Sequence, residues 1–359
     1  MKKIVFLLSI VVIIGFFPIY SSAEESADEY LSDFESILPE DMSGIGEGGE
    51  ALIERFSIKG VLSEIFASIT GESSEVLKFL LLLIGGVGVF SLASGCHADF
   101  VKQTEAGVGF VISLSIFPFI SSALSAVKDS LSELNAFFGA LTPIAVGVTA
   151  LGGGTSAAGV QASGMYTAFA VIGGVGEGLF LSLSAFGLAV SSLSSLGNSS
   201  AMSVGKGIKG IFTWAVGIFT TLITAVFALQ TLVASAADSA AMRTAKYMAS
   251  GLIPVVGSAV SGALATLASG LSYAKTVIGG GAIAVILSLV IAPLVVLLLY
   301  RLALVIAANF SELLGAEIPS KIFTSYRFVL DMTVAVYVLS TIVYLFQVIL
   351  FLRIGVALL

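Results

Sequence analysis

The stretch between Lys275 and Arg301 reads TVIGGGAIAVILSLVIAPLVVLLLY, residues 276–300, and carries no charged side chain. A helix needs about 20 apolar residues to cross the hydrocarbon core of a membrane. Pro293 and the glycines are compatible with such a helix, because neighbouring helices re-satisfy the backbone groups that they free. This stretch therefore predicts a transmembrane helix, and it sets the pattern for the rest of the chain.

Six further charge-poor windows of the same kind occur along the sequence. Each is apolar enough to predict a membrane span. They lie at Phe79 to Gly95, between Glu105 and Lys128, at Ala136 to Ala150, at Met165 to Val190, at Ile211 to Ala234 and between Asp331 and Arg353. We therefore predict an all-α, polytopic membrane protein with about seven or eight transmembrane helices.

The eighth segment is the window between Lys246 and Lys275, which also lacks charge. Its hydroxyl side chains recur every three to five residues, broadly on one helical face. They are Ser258, Ser261, Thr266, Ser269 and Ser272. Such a helix suits a re-entrant segment, an interfacial amphipathic helix or the lining of a wet cavity. A plain span packed through small residues is an equally good interpretation.

The overall composition agrees with a membrane body and excludes several other classes. Apolar residues make up 57% of the 359 residues and charged residues 11%, against about 45–50% and 25% in soluble domains. The mean hydropathy is +1.08. These values exclude an ordinary soluble enzyme and a disordered chain. The net charge of −7 excludes a nucleic-acid-binding protein, because no basic patch is present.

The N-terminus has the pattern of a secretory signal peptide. Lys2 and Lys3 precede a short apolar run, small residues end at Ala23, and Glu24 starts a polar stretch. This order of basic, apolar and small residues predicts cleavage after Ala23. An uncleaved anchor is the alternative, and both interpretations place residues 24–75 outside the cytosol. We expect three regions: the signal peptide 1–23, this acidic extracytoplasmic segment and a transmembrane body 76–359.

The acidic segment holds most of the carboxylates of the chain. Acidic residues total 23, and more than half of them fall between Glu24 and Glu75. Apolar residues at helical spacing predict a short amphipathic helix there; they are Tyr30, Leu31, Phe34, Ile37 and Leu38. A segment of this size with a thin apolar stripe is marginal for folding alone. We expect it to pack against the membrane body or a partner.

Catalytic and cofactor motifs do not stand out from the sequence. One cysteine, Cys96, and one histidine, His97, cannot build a metal site rich in these ligands. The two side chains point apart on a helix, so a nucleophile–base pair is not expected. No phosphate-binding loop with its lysine and hydroxyl occurs. We predict no enzymatic activity, no metal and no cofactor.

Isolated charges in apolar windows carry the other functional interpretations. Glu177 lies in the glycine-rich run 173–178, and a carboxylate in hydrocarbon is costly enough that it normally faces a cavity or a partner. It is therefore a candidate path-lining residue, or the third and fourth spans end nearby and leave it at the membrane interface. Arg301 and Asp331 flank apolar runs and are interpreted as span boundaries. With seven spans, the Lys and Arg of the loops and tail divide about equally between the two sides of the membrane, so orientation stays open.

The most distinctive local sequence follows the predicted fifth span. Asp238 precedes the run Arg243-Thr244-Ala245-Lys246, and Ile253-Pro254-Val255-Val256-Gly257 comes next. Asp238 is a good N-cap. Arg243 and Lys246 lie on one face and can meet headgroups or a carboxylate. An ordinary basic loop at the membrane edge has the same appearance.

This motif resembles the stage III sporulation protein AE family of endospore-forming bacteria. The order of signal peptide, polar segment and polytopic body is also similar to that family. The resemblance implies that Asp238, Arg243, Thr244, Ala245, Lys246, Pro254 and Gly257 serve in assembly or interaction. It implies a location in the mother-cell membrane around the forespore.

The resemblance also implies partners and a role. They are the other stage III sporulation A proteins and, through the complex, stage II sporulation protein Q, with membrane lipid around the helices. The family is thought to contribute a pore or export-gate component of a channel complex, powered by a separate ATPase. A non-conducting scaffold and a proton-coupled secondary transporter are the alternatives.

Overall fold

The computed structural model describes residues 28–38, 58–95, 101–151, 155–171 and 257–353, with single helical positions between 189 and 230. Throughout these residues the chain is helical, which confirms the predicted all-α class. The helices are α1 Asp28–Ser36, α2 Ile58–Ser94, α3 Val101–Leu151, α4 Thr155–Val171, α5 Gly257–Leu313 and α6 Glu317–Arg353.

Helices α2 and α3 form an antiparallel hairpin. The rings of Phe79 and Phe119 lie 5.1 Å apart between their centroids. Further along, a Cβ on Gly86 would lie 3.1 Å from the Ile112 side chain. Because residue numbers rise on one helix as they fall on the other, the two helices run in opposite directions.

Helices α5 and α6 form a second hairpin around a tight turn. Gly315 has a φ of +68°, a conformation that glycine adopts without the Cβ clash that other residues meet. The Gly315 N–H donates to Glu312 O at 3.1 Å and the Ala316 N–H donates to Ser311 O at 2.8 Å. These two bonds are those of a Schellman motif, which ends α5 and reverses the chain.

The two hairpins pack side by side. The Tyr300 ring of α5 lies 5.0 Å from the Phe79 ring of α2, and Ile65 of α2 packs near Leu287 of α5. Residue numbers therefore rise together along the two helices. Helices α2 and α5 are therefore parallel. One apolar core runs between the hairpins and includes buried residues of α2, α3, α5 and α6.

Helix α1 docks on this core. Phe34 is only 1% exposed, and its ring would lie 2.6 Å from a Cβ placed on Gly281. Leu31, Ile37 and Leu38 pack against the same apolar core. The short amphipathic helix expected in the acidic segment is thus present, and it rests against the membrane body through its apolar face.

The predicted number of spans is not confirmed. Four of the described helices are long and apolar enough to cross a membrane: Ser73–Ser94, Ala106–Leu151, Ser269–Leu313 and Glu317–Arg353. The predicted spans at 165–190 and 211–234 lie largely outside the described residues.

Two predicted spans are joined into one helix. The windows before Lys128 and after Ala136 both belong to the 51 residues of α3. Lys128, Asp129 and Glu133 separate them in sequence, and all three are exposed on the helix surface. A charged side chain on the helix surface interrupts an apolar window of the sequence but leaves the backbone hydrogen bonds of the helix intact. The prediction of two separate spans in this region was therefore wrong.

The serine-faced segment is likewise continuous with the span that follows it. Helix α5 runs for 57 residues through Lys275, so the part from Gly257 onward does not turn back as a re-entrant segment would. Lys275 is 6% exposed, and its ammonium lies 5.4 Å from the centroid of the Phe351 ring. Packing against α6 accommodates this charge inside the helix pair.

The long helices exceed the thickness of a membrane. At 1.5 Å per residue, α3 and α5 are about 76 Å and 85 Å long. The hydrocarbon core is about 30 Å thick, and transmembrane helices tilt by at most about 40°. Part of each helix therefore lies beyond the hydrocarbon core.

Candidate functional site: a polar seam, an ion pair and an amide cluster

Most of the residues predicted to carry function lie outside the described part of the chain. These are Glu177, Asp238, Arg243, Thr244, Ala245, Lys246 and Pro254. Gly257, the last residue of the family-like motif, is the first residue of α5. Their roles stay predictions.

The candidate path-lining hydroxyls all lie on α5. The described side chains among them belong to Ser269 and Ser272, which are both half-buried. The Ser272 carbonyl accepts a hydrogen bond from the Thr276 hydroxyl at 2.9 Å. The structure thus places Ser258, Ser261, Thr266, Ser269 and Ser272 along one uninterrupted helix.

Arg301 and Asp331 form an ion pair across the α5–α6 hairpin. The Arg301 Nε–H donates to Asp331 Oδ1, and Arg327 Nε lies 3.7 Å from Asp331 Oδ2. The Arg301 side chain is 18% exposed and that of Asp331 is 29% exposed. The sequence interpretation treated both residues as separate span boundaries, whereas the structure brings them together.

The hairpin geometry explains why these charges meet. Arg301 lies 12 residues before Leu313, the end of α5, and Asp331 lies 14 residues after Glu317, the start of α6. These separations correspond to about 18 Å and 21 Å along the two helix axes. The antiparallel arrangement therefore places the two side chains at nearly equal distances from the turn.

A row of hydrogen-bonded polar side chains, which we call the polar seam, joins α3 to α6. Tyr326, Tyr337 and Tyr344 of α6 are each 0% exposed. They face three polar residues of α3, namely Ser113, Ser130 and Asn135. Residue numbers rise together on the two helices, so α3 and α6 are parallel.

Each tyrosine hydroxyl of the seam has a partner on α3. The Tyr326 hydroxyl donates to the Ser113 carbonyl at 2.9 Å. The Tyr337 hydroxyl lies 2.6 Å from Ser130 Oγ, which itself donates to the Leu289 carbonyl of α5 at 2.8 Å. The Tyr344 hydroxyl donates to Asn135 Oδ1. Three helices are thus linked by side-chain hydrogen bonds inside an apolar core.

Sequence reasoning missed the polar seam, although a signal for it was present. The spacings of 11 and 7 residues between Tyr326, Tyr337 and Tyr344 are close to whole numbers of helical turns at 3.6 residues each. This periodicity places all three rings on one face of a helix. The identity of the facing residues on α3 could not be read in the same way, because it depends on how the hairpins pack.

A second group of polar side chains, which we call the amide cluster, lies near the last turns of α3 and α6. It consists of Thr149, Gln161, Gln230 and Gln347. The Thr149 hydroxyl lies 2.6 Å from Gln161 Oε1, and Gln347 Nε2 donates to Gln230 Oε1 at 3.2 Å. Gln161 and Gln347 are 0% and 1% exposed.

The chemistry available to these groups is hydrogen bonding and ion pairing. Within the described ranges, no three His, Cys, Asp or Glu side chains come close enough to hold a metal ion. The seam and the amide cluster are neutral, and the carboxylate of Asp331 is engaged by two arginines. Such groups can hold helices together, line a wet surface or bind a polar molecule.

Apolar helices with these buried polar contacts define an all-helical membrane protein. The sequence family described as stage III sporulation protein AE matches residues 42–358, nearly the whole chain. The chain belongs to this family, as the resemblance predicted, and is therefore a stage III sporulation protein. Neither a curated protein nor a solved structure matches it.

Proposed function

We propose that the chain is a membrane subunit of the sporulation complex in the mother-cell membrane and forms its pore or gate without catalysis. Membership of the stage III sporulation protein AE family supports the sporulation role. The helices long enough to cross a membrane support the location. The polar seam between α3 and α6 is the observation that favours a gate.

The seam suits a surface that is alternately closed and wet. Its contacts are neutral and few, and interhelical hydrogen bonds in membranes contribute only about 0.6 kcal/mol each on average. Water can replace each of them when α6 moves away from α3, because tyrosine hydroxyls, serine hydroxyls and amides are all readily hydrated. An apolar surface would resist wetting when the helices separate.

A non-conducting scaffold is the second candidate, and the same seam offers an argument for it. Tyr326, Tyr337 and Tyr344 all have hydrogen-bond partners on α3. Saturated contacts of this kind fix helices in one arrangement. The proton-coupled transporter has less support, because the carboxylate of Asp331 is paired with Arg301 and Arg327.

We place the wet path along the serine-faced part of α5, with Glu177 as a further lining residue. In a Cys96→Ser background, single cysteines at Ser258, Ser261, Thr266, Ser269 and Ser272 test this placement. A membrane-impermeant thiol reagent applied to cells during sporulation is expected to label some of these positions with helical periodicity. A cysteine at Ala282, which is 0% exposed, is the matched dry control.

The two candidates give different labelling patterns. Periodic labelling above the level of the Ala282→Cys control supports a wet path along α5 and, with it, the pore or gate. Uniform protection in sporulating cells, together with normal spore counts for the same variants, contradicts it and favours the scaffold.

We further propose the partners and the exported segment that the family resemblance implies. The partners are the other stage III sporulation A proteins and, through them, stage II sporulation protein Q on the forespore side. Residues 24–75 face the space between the two membranes after removal of the signal peptide. Since α1 lies in this segment, its docking side marks the extracytoplasmic end of the helix bundle.

A further inference from the structure

The amide cluster buries more hydrogen-bonding groups than it pairs. Gln161 is 0% exposed, Gln347 is 1% exposed and Thr149 is 5% exposed. Buried apolar residues lie close to them in sequence, among them Val148 and Met165. Polar groups in such surroundings are normally satisfied by a partner.

The internal bonds of the cluster leave two atoms unpaired. Gln161 Nε2 and Gln347 Oε1 are inaccessible and have no hydrogen-bond partner among the described residues. One is a donor and the other is an acceptor. Each atom belongs to a side-chain amide whose other atom, Gln161 Oε1 or Gln347 Nε2, already takes part in a hydrogen bond.

Thr149 bonds one end of the Gln161 amide. Its hydroxyl lies 2.6 Å from that amide and 2.8 Å from the Ala145 carbonyl. A hydroxyl has a single proton, so it donates to Ala145 when the Gln161 nitrogen faces it and to Gln161 when the amide oxygen does. In either case the other end of the Gln161 amide has no partner among the described residues.

Gly164 leaves room for the Gln230 amide beside the cluster. A Cβ on Gly164 would lie 2.9 Å from Gln230 Nε2. Any side chain at this position would displace Gln230, and with it the acceptor of the Gln347 bond. The cluster is therefore a shaped site that depends on a close approach to α4.

We infer that the amide cluster is a water-binding site within the helix bundle. Water both donates and accepts, so bound water can accept from Gln161 Nε2 and donate to Gln347 Oε1. Water can therefore pair with the free end of each amide, whether an oxygen or an N–H group lies there. Buried water typically serves buried polar groups in this way.

This inference does not depend on the proposed gate. A scaffold can hold buried water as readily as a channel subunit can. The site lies outside the polar seam and outside the predicted serine-faced path, so failure of either proposal leaves the other standing.

Hydroxyl-radical footprinting tests the site directly. X-ray radiolysis of the full-length protein in lipid nanodiscs generates radicals from bound as well as bulk water, and mass spectrometry locates the oxidised side chains. Met165 is 1% exposed and follows Gln161 by one helical turn, and its thioether is a sensitive reporter. We expect Met165 to be oxidised in spite of its burial.

Two other side chains calibrate the measurement. Met332 is half-buried on α6, and its oxidation gives the reference for a partly exposed thioether. Phe79 is 0% exposed and lies in the apolar core, so it reports a dry environment. Met165 is expected to follow Met332 and to differ from Phe79.

A double variant, Gln161→Leu with Gln347→Leu, removes the unpaired donor and acceptor together. We expect severalfold less oxidation of Met165 in this variant and unchanged oxidation of Met332. Absence of Met165 oxidation in the wild-type protein overturns the inference and needs no variant. Equal Met165 oxidation in wild type and folded double variant overturns it as well. If the double variant does not fold, Gln347→Asn, which keeps the amide but shortens its reach, serves in its place.

Discussion

At the scale of single residues, the ion pair of Arg301 and Asp331 ties α5 to α6. The Arg301 Nε–H donates to Asp331 Oδ1, and both side chains are partly shielded from water. Arg327 contributes less, because its Nε is 3.7 Å from Asp331 Oδ2 and its side chain is 40% exposed. Exposed ion pairs typically contribute about 0–1 kcal/mol, whereas hydrogen bonds to charged groups contribute about 1.5–3 kcal/mol.

This difference gives a first prediction. Arg301→Gln is expected to lower the stability of the detergent-solubilised protein by about 1–3 kcal/mol, because it removes a charge-assisted bond. Arg327→Gln is expected to cost about 1 kcal/mol or less. Thermal unfolding followed by circular dichroism measures both. In a double-mutant cycle with Asp331→Asn, the larger coupling energy belongs to Arg301, and equal couplings for both arginines would contradict the assignment.

A second prediction concerns the polar seam. Tyr344→Phe deletes the hydroxyl that donates to Asn135 Oδ1 and leaves the amide oxygen of the half-buried Asn135 without this donor. We expect a loss of about 0.5–1.5 kcal/mol in the same unfolding measurement. Tyr166→Phe on α4 is the matched control, because Tyr166 is 62% exposed. A control as destabilised as Tyr344→Phe would show that the seam has no special role in stability.

The residue-level pairings mark the limit of what the sequence reveals. Arg301 and Asp331 were recognised as unusual charges beside apolar runs, but their partnership depends on the position of the Gly315 turn. If that turn lay two residues further along the chain, the residues of each helix would be displaced by about 3 Å along its axis. Different side chains would then face each other. Hydropathy does not locate a turn to within two residues, so it cannot predict which side chains pair.

At the scale of helices, the apolar windows of the sequence are real but their edges are not helix ends. Lys128 and Lys275 bounded predicted spans, yet α3 and α5 continue through them. Helices end where the backbone is redirected, as at Gly315 with its positive φ. The sequence therefore predicted the helical class and the docked α1 well. It failed to predict helix ends where a long helix carries a charge that is exposed or packed on an aromatic ring.

The glycine run 279–281 on α5 gives an element-scale prediction. A Cβ on Gly281 would lie 2.6 Å from the Phe34 ring, whereas nothing lies within 4 Å of one on Gly280. We expect Gly281→Ala to loosen α1 and Gly280→Ala to leave it docked. Hydrogen exchange of the amides in residues 28–36 measures the docking. Equal protection of α1 in the two variants would contradict the packing described here.

At the scale of the whole molecule, the docking of α1 relates the acidic segment 24–75, which we propose to be exported, to the ends of the hairpins. Phe34 meets Gly281, so α1 lies towards the end of the bundle that carries Lys275 and Arg353. The turn at Gly315 lies at the opposite end. If residues 24–75 are extracytoplasmic, the turn and the nearby Lys321 lie towards the cytoplasm.

The orientation leads to the last prediction. A fluorescent protein inserted after Gly315 is expected to fold and fluoresce, because the proposed orientation places the turn in the cytoplasm, while alkaline phosphatase at the same position is expected to be inactive. Insertion after Ser36, at the end of α1, is expected to give the reverse result for both reporters. The paired sites matter because α1 and the turn lie at opposite ends of one bundle. Active phosphatase at both positions would place both ends outside, and this would contradict a membrane crossing by the α5–α6 hairpin.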